Sequence, residues 1–168
     1  MVDFIPKIVI LRGNSGSGKS TVAKLLQREI GRGTLLIQQD YVRREMLWVY
    51  DTPSNPAVDL LKNLVWYGYN HNEVTILEGI LSSDTYTDLF AFIISTFGKG
   101  IFAYYYDLNF EECLRRHAMK GVVSWGEEDL KRWWREKDYL PAIPETILGS
   151  EISVEDAIGK IKIQIHLS

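Results

Sequence analysis

Cysteine is nearly absent from this sequence. Cys113 stands alone among 168 residues, so no internal disulfide is possible, and its place in a helical pattern reads as packing. Long apolar runs are missing as well. The longest, such as Leu89 to Ile94, are far too short to span a bilayer. Charge of one sign is not in excess: 19 basic residues face 22 acidic ones, a net of −3. That mild acidity argues against a broad nucleic-acid surface, while a local basic groove stays open. Met1 to Lys7 shows no charged region followed by an apolar stretch, so no signal peptide is expected. Repeats, low-complexity tracts and linkers are also lacking. These absences predict a soluble, cytoplasmic protein forming one domain over residues 1–168. Its 46% apolar residues can fill one substantial core.

What is present begins at Gly13-Asn14-Ser15-Gly16-Ser17-Gly18-Lys19-Ser20, which has the G-x-x-x-x-G-K-[ST] spacing of a phosphate-binding P-loop. The apolar run Lys7 to Leu11 before it reads as a buried strand. Ser20 to Ile30 after it places Val22, Leu25, Leu26 and Ile30 on one helical face. A triphosphate needs many closely spaced donors, which backbone N–H groups supply where glycine leaves them open. A helix N-terminus adds a favourable potential for the anion. Lys19 is expected to reach the β/γ-phosphates and the Ser20 hydroxyl to bind Mg2+. The expected nucleotide contacts are Gly13, Asn14, Ser15, Gly16, Ser17, Gly18, Lys19, Ser20 and Thr21.

The first helix stops at Gly31-Arg32-Gly33, and Thr34 to Gln38 reads as the second strand. Asp40 then sits at a strand's C-terminal end, where open α/β sheets bind ligands. A helix capped by Asn55, with Pro56 first, is expected to run to about His71. Its Trp66, Tyr67 and Tyr69 read mainly as core, with a cleft lining as the alternative. Glu73 to Gly79 is the third strand, and Glu78 at its end reads as a Mg2+-holding acid or as a loop or cap acid. A helix from Ser83 to Phe97, a strand from Ile101 to Asp107 and a helix from Asn109 to Lys120 follow. Ser124 to Glu127 reads as a capping box for a short helix reaching Lys137. Glu145 to Leu148 is a weak fifth strand, and Ser153 to Asp156 caps a last helix. Alternating strands and helices predict an α/β fold with a five-stranded parallel sheet, helices on both faces and a helical lid. Residues 41–73 and 116–140 exceed a minimal crossover and are expected to hold substrate and form the lid. His71 and His117 lack companions at metal-ligand spacing and read as surface or lid residues.

The P-loop, Asp40-Tyr41-Val42-Arg43, Glu78-Gly79-Ile80 and Tyr106-Asp107-Leu108-Asn109 leading into Leu114-Arg115-Arg116 occur in the order seen in one group. The chain resembles P-loop kinases of the polynucleotide kinase, zeta-toxin and chloramphenicol phosphotransferase group, a P-loop NTPase fold. The resemblance implies catalytic roles for Lys19, Asp40, Arg43 and Arg116. Asp40 would take the acceptor's proton, Arg43 would position substrate or phosphoryl group, and Arg116 would open the lid and offset transition-state charge. Glu78 is the rival base. It matches zeta toxins better than polynucleotide kinases, which have aspartate there. Arg115, Lys120, Arg132 and Arg135 either face ATP phosphates or form a solvated basic face.

The function expected is ATP- and Mg2+-dependent phosphoryl transfer to a hydroxyl of a small molecule: a nucleoside, sugar nucleotide or antibiotic. A polynucleotide 5′-hydroxyl kinase and a zeta-like toxin kinase are alternatives with the same chemistry. A nucleotide-binding switch is an alternative of another class, with Gln38 or Gln39 to position water. ATP and GTP are not distinguished, although Leu148 to Ile152 is expected to approach the base.

Overall fold

The computed structural model describes residues 4–121 and 124–166. Residues 1–3 of the N-terminal segment and 122–123 of the expected lid therefore lie outside the described residues. Five strands, β1 (Lys7–Gly13), β2 (Leu35–Gln38), β3 (Val74–Gly79), β4 (Ile101–Tyr106) and β5 (Glu145–Leu148), form one all-parallel sheet in the order β2-β3-β1-β4-β5. The helices are α1 (Lys19–Ile30), α2 (Gln39–Tyr41), α3 (Ala57–His71), α4 (Thr87–Phe97), α5 (Phe110–Ala118), α6 (Glu127–Trp133) and α7 (Val154–His166). α2 continues as a π-helical turn over Val42–Met46.

The apolar run of β1 has a simple cause. Successive side chains alternate between faces, and both faces are covered. Ile8 and Ile10 join a core with Ile37, Leu77, Leu61 of α3 and Leu89 of α4. Val9 and Leu11 join the opposite core with Leu26 of α1, Ile76, Tyr104 and Ile161 of α7. Register brings Gln38 beside Glu78, Leu11 beside Glu78 and Gly13 beside Tyr106, so the ends of four strands meet at one edge.

Several local expectations need correction. Trp66 and Tyr67 are 51% and 55% exposed and lie on the last turns of α3, near the start of β3 and away from the P-loop edge. Only Tyr69 is partly buried, stacked on Trp66 and edge-on to Phe97. Ser124 does not cap α6: the helix starts at Glu127 after Gly126, whose N–H donates to Asp129 Oδ2 at 3.1 Å. α6 also ends at Trp133, four residues before the expected Lys137. Its next residue, Trp134, is extended, and the backbone beyond turns toward the P-loop. Asn55 does cap α3, accepting from Ala57 N at 3.0 Å. Among the described residues, no helix is long and apolar enough to cross a membrane.

Candidate active site

The loop after β1 wraps tightly onto the structure behind it. A Cβ on Gly16, at φ +81°, would meet the Cys113 carbonyl oxygen of α5 at 2.6 Å; one on Gly13 would meet Tyr106 at 2.9 Å. These glycines are thus needed for packing as well as for an open backbone. Cys113 is buried and free, as expected from its pattern. Lys19 opens α1 and is almost enclosed. Its Nζ donates to Asn14 O at 2.8 Å and to Ser17 Oγ at 3.3 Å. Burial lowers its pKa to about 8, against a smaller upward pull from Glu78. Ser15, Gly18 and Ser20 are half-buried, and Thr21 is exposed on the first turn of α1.

Ser20 and Glu78 come together as expected. Ser20 Oγ donates to Glu78 Oε1 at 2.9 Å, and Gln38 Nε2 donates to the same oxygen at 2.9 Å. Glu78 is only 3% exposed, because it closes a central strand behind α1. Asp40 lies two residues past the end of β2, with its side chain 58% exposed. Its Oδ1 accepts a hydrogen bond from Arg43 Nη2 at 2.8 Å and forms an ion pair with Arg44 Nε at 3.0 Å, the i+3 and i+4 neighbours on one helical face. Oδ2 takes no hydrogen bond among the described residues. Arg43 also donates from Nη1 to Val49 O at 3.0 Å, tying the segment after the π-turn back to Asp40.

Arg116 reaches the loop from α5. It donates from Nη1 to Ser17 O at 2.9 Å and from Nη2 to Ser150 O at 3.4 Å, and it pairs with Glu112 at 2.7 Å. Arg115 and Arg116 together hold the Glu112 carboxyl down to about 2. The residues 148–152 therefore lie beside Arg116 at the loop. Arg115 is exposed and pairs with Glu112, Arg135 pairs with Asp84 at 2.8 Å, and Arg132 is exposed without an ion pair among the described residues. His117 is buried, stacked on Trp125 at 3.9 Å. Of the two expected places, surface or lid, it is not at the surface, because α5 turns it toward the ring that follows Ser124, within residues 116–140.

Three residues escaped sequence reasoning. Arg12 is fully buried, bonded to Leu81 O at 3.0 Å, Glu145 at 2.8 Å and Asp138 at 2.9 Å. Asp138 also accepts from Ser83 N and Ser83 Oγ. Arg44 touches Asp40 and lies 5.3 Å over the Trp133 ring. The repeated basic pair after Asp40 was the available signal. Gln38 and Gln39 are both engaged, the first by Glu78 and the second by the buried Tyr86 hydroxyl at 2.7 Å.

The zeta toxin family model matches residues 3–56, which span β1, the P-loop, α1, β2 and the Asp40–Arg44 turn. No curated protein matches the sequence. Solved structures match over nearly the whole chain. A gluconokinase from Sinorhizobium meliloti 1021 aligns with a TM-score of 0.68 at 12% identity, covering 98% of each chain. The Mycobacterium tuberculosis APS kinase CysC in complex with AMPPNP and APS gives 0.65 at 20% identity, over 98% of this chain and 99% of that one. A Deinococcus radiodurans tunicamycin resistance protein gives 0.64 at 16%, over 97% of each. The parallel sheet, the loop after its central strand and these likenesses agree: the chain has the α/β P-loop fold that these kinases share.

Proposed function

We propose that this protein moves the γ-phosphoryl group of ATP to a hydroxyl of a small molecule, a nucleoside, sugar nucleotide or antibiotic. The observation that carries this is the meeting of Lys19, the Ser20–Glu78 oxygen pair and the half-exposed Asp40 at one sheet edge. The likeness to kinases of small molecules supports it.

The roles follow from exposure and chemistry. Ser20 Oγ and Glu78 Oε1 are hard oxygen donors, 2.9 Å apart, of the kind Mg2+ takes beside phosphates. Bound there, Mg2+ would neutralise charge on the β- and γ-oxygens. Glu78 is too buried to meet an acceptor. Asp40 is not: Arg43 and Arg44 hold Oδ1, and Oδ2 is left to accept the hydroxyl proton. The acceptor oxygen forms a bond to the γ-phosphorus, the bond to the β–γ bridging oxygen breaks, and ADP leaves. Lys19 and Arg116 offset the charge, Arg116 from its position on Ser17. Residues 41–73 hold the acceptor, and 116–140 form the lid. The switch alternative loses support, because both glutamines it would use are engaged elsewhere. The zeta toxin match keeps one biological alternative, a toxin kinase, which growth arrest on expression would reveal.

The test is transfer from γ-labelled ATP with Mg2+ to nucleosides, sugar nucleotides, aminoglycosides and 5′-hydroxyl oligonucleotides, with Lys19→Ala as control. Label on one small-molecule class, absent in the control, is expected. Label on oligonucleotides alone, or slow release of free phosphate alone, overturns the small-molecule reading. Asp40→Asn is expected to lower turnover by more than ~100-fold while ATP affinity stays within about threefold. A matching loss of ATP affinity would instead give Asp40 to the metal.

Proton uptake checks Lys19. Its amine is partly neutral above about pH 8, and phosphate oxygens raise its pKa again. ATP binding is therefore expected to take up protons between about pH 8 and 9.5, and none at this group below about pH 7. Calorimetry in two buffers of different ionisation enthalpy measures this. Zero uptake near pH 8.5 would mean that the phosphates do not reach Lys19.

A further inference from the structure

Asn14 occupies a variable position of the P-loop, and its side chain is committed to a residue far along the chain. Nδ2 donates to Arg135 O at 2.6 Å, and Arg135 N donates to Asn14 Oδ1 at 2.9 Å. The amide is 5% exposed. A primary amide can offer one donor and one acceptor side by side, and so can satisfy both backbone groups of a single residue, as a strand neighbour does. Ionised aspartate has no donor, and alanine has neither group.

Both ends of this clasp lead to the site. Asn14 O accepts the Lys19 amine at 2.8 Å. On the other side, Trp133 lies under the Arg44 guanidinium, and Arg44 reaches Asp40 at 3.0 Å. Beyond Arg135, Lys137 adopts φ +44°, and Asp138 is fixed by Arg12, by both Ser83 donors and by its own N–H to Tyr105 OH. Residues 133–138 therefore contact the phosphate side and the acceptor side of the site together.

We propose that Asn14 is a positioning residue, latching residues 133–135 to the P-loop so that Lys19 and Asp40 are set by one short segment hinged before the fixed Asp138. Phosphates that draw the Lys19 amine off Asn14 O shift the loop at Asn14. The clasp passes that shift to Arg135, Trp133 and Arg44. The nucleotide half of this proposal rests on the kinase function proposed above; the clasp itself does not.

Tryptophan reports on it directly. With Trp48 and Trp66 changed to Phe, the remaining three of the five tryptophans, Trp125, Trp133 and Trp134, all lie in or beside the segment. Losing two hydrogen bonds raises the open-to-closed ratio roughly ten- to thirtyfold. Acrylamide quenching of the nucleotide-free chain is therefore expected to rise about threefold or more in Asn14→Ala, with circular dichroism unchanged. Asn14→Asp supplies the signature that general loosening does not. Its quenching is expected to be high near pH 8 and to fall toward that of the parent only as the pH approaches about 4, the ordinary aspartate range, where a protonated carboxyl regains a donor for Arg135 O. Quenching equal to the parent's in Asn14→Ala overturns the latch. Should that variant fail to fold, an Asn14→Asp profile that parallels the parent's overturns it instead. In a second arm, MgAMPPNP at saturation is expected to change the tryptophan spectrum of the parent and to change that of Asn14→Ala much less; an equal spectral change in both overturns the coupling. A parent that does not bind MgAMPPNP refutes the kinase function and the nucleotide half, and leaves the clasp to be judged by the quenching alone.

Discussion

Lys19→Ala is expected to remove phosphoryl transfer and leave the fold standing. The amine is the one cation buried inside the P-loop, and its charge is held there against a desolvation cost that lowers its pKa to about 8. Phosphate oxygens return that charge to full strength, and the gain grows as the γ-phosphoryl loosens and charge spreads over its oxygens. Deleting one preorganised donor at such a centre costs about 10²–10³ in rate, and deleting a cation is expected to cost at least about 10³. Stability moves differently. The variant loses the bonds to Asn14 O and Ser17 Oγ, but it also loses the cost of burying an ammonium group. Its melting temperature is expected to stay within about 5 °C of the parent, a shift worth roughly 2 kcal/mol at this size. Retained transfer would sink the P-loop reading. Transfer and melting lost together would make Lys19 a structural brace.

Arg12→Ala is expected to do the reverse, with its effect first on stability. The guanidinium is fully buried between Asp138 and Glu145, with their side chains 13% and 2% exposed, and it lies 5.4 Å from the rings of Phe90 and Tyr105. Removing it leaves the buried Glu145 carboxylate without its cation, Asp138 with only Arg135 at 3.8 Å, and the carbonyl of Leu81 without its donor. Breaking a buried pair from one side costs about 3–5 kcal/mol. Denaturant titration is expected to show that loss as a lower midpoint with little change in slope, and heating as a fall of roughly 10 °C. Arg12→Met combined with Glu145→Gln and Asp138→Asn is expected to recover part of it, because no unpaired charge then remains. A loss under about 1 kcal/mol would mean that water solvates both carboxylates once the guanidinium is gone.

The contrast between these two residues shows what could be read in advance. Lys19 belongs to a local motif, and the strand before it announces itself by a run of apolar residues buried on both faces. Asp40 and Glu78 were legible for the same reason, since each closes a strand and strand ends share one edge. Arg12 stands one residue from that motif, but its carboxylate partners lie 126 and 133 residues away, and no local pattern points to them. Asn14 is hidden likewise, since Arg135 takes part through its backbone, which carries no sequence signature. Gly16 was read for its open backbone, whereas the Cys113 carbonyl that crowds it belongs to a helix nearly a hundred residues on. Trp66 and Tyr67 misled because aromatic residues at helical spacing imply burial. α3 buries the stripe of Ala57, Val58, Leu61, Val65 and Gly68, and leaves these two rings outside.

The strand order has a consequence for synthesis. β1 is made before both of its neighbours in the sheet, β3 and β4, which begin at Val74 and Ile101. Parallel neighbours cannot be joined by a hairpin, so β1 has no early partner to pair with. At about 5–20 residues per second, the nascent chain carries this apolar strand unpaired for on the order of several seconds. The loop after β1 is therefore translated well before the strands that fix its position. Slowing elongation between Leu35 and Ile101 lengthens the interval in which that strand is open to chaperones or to another nascent chain.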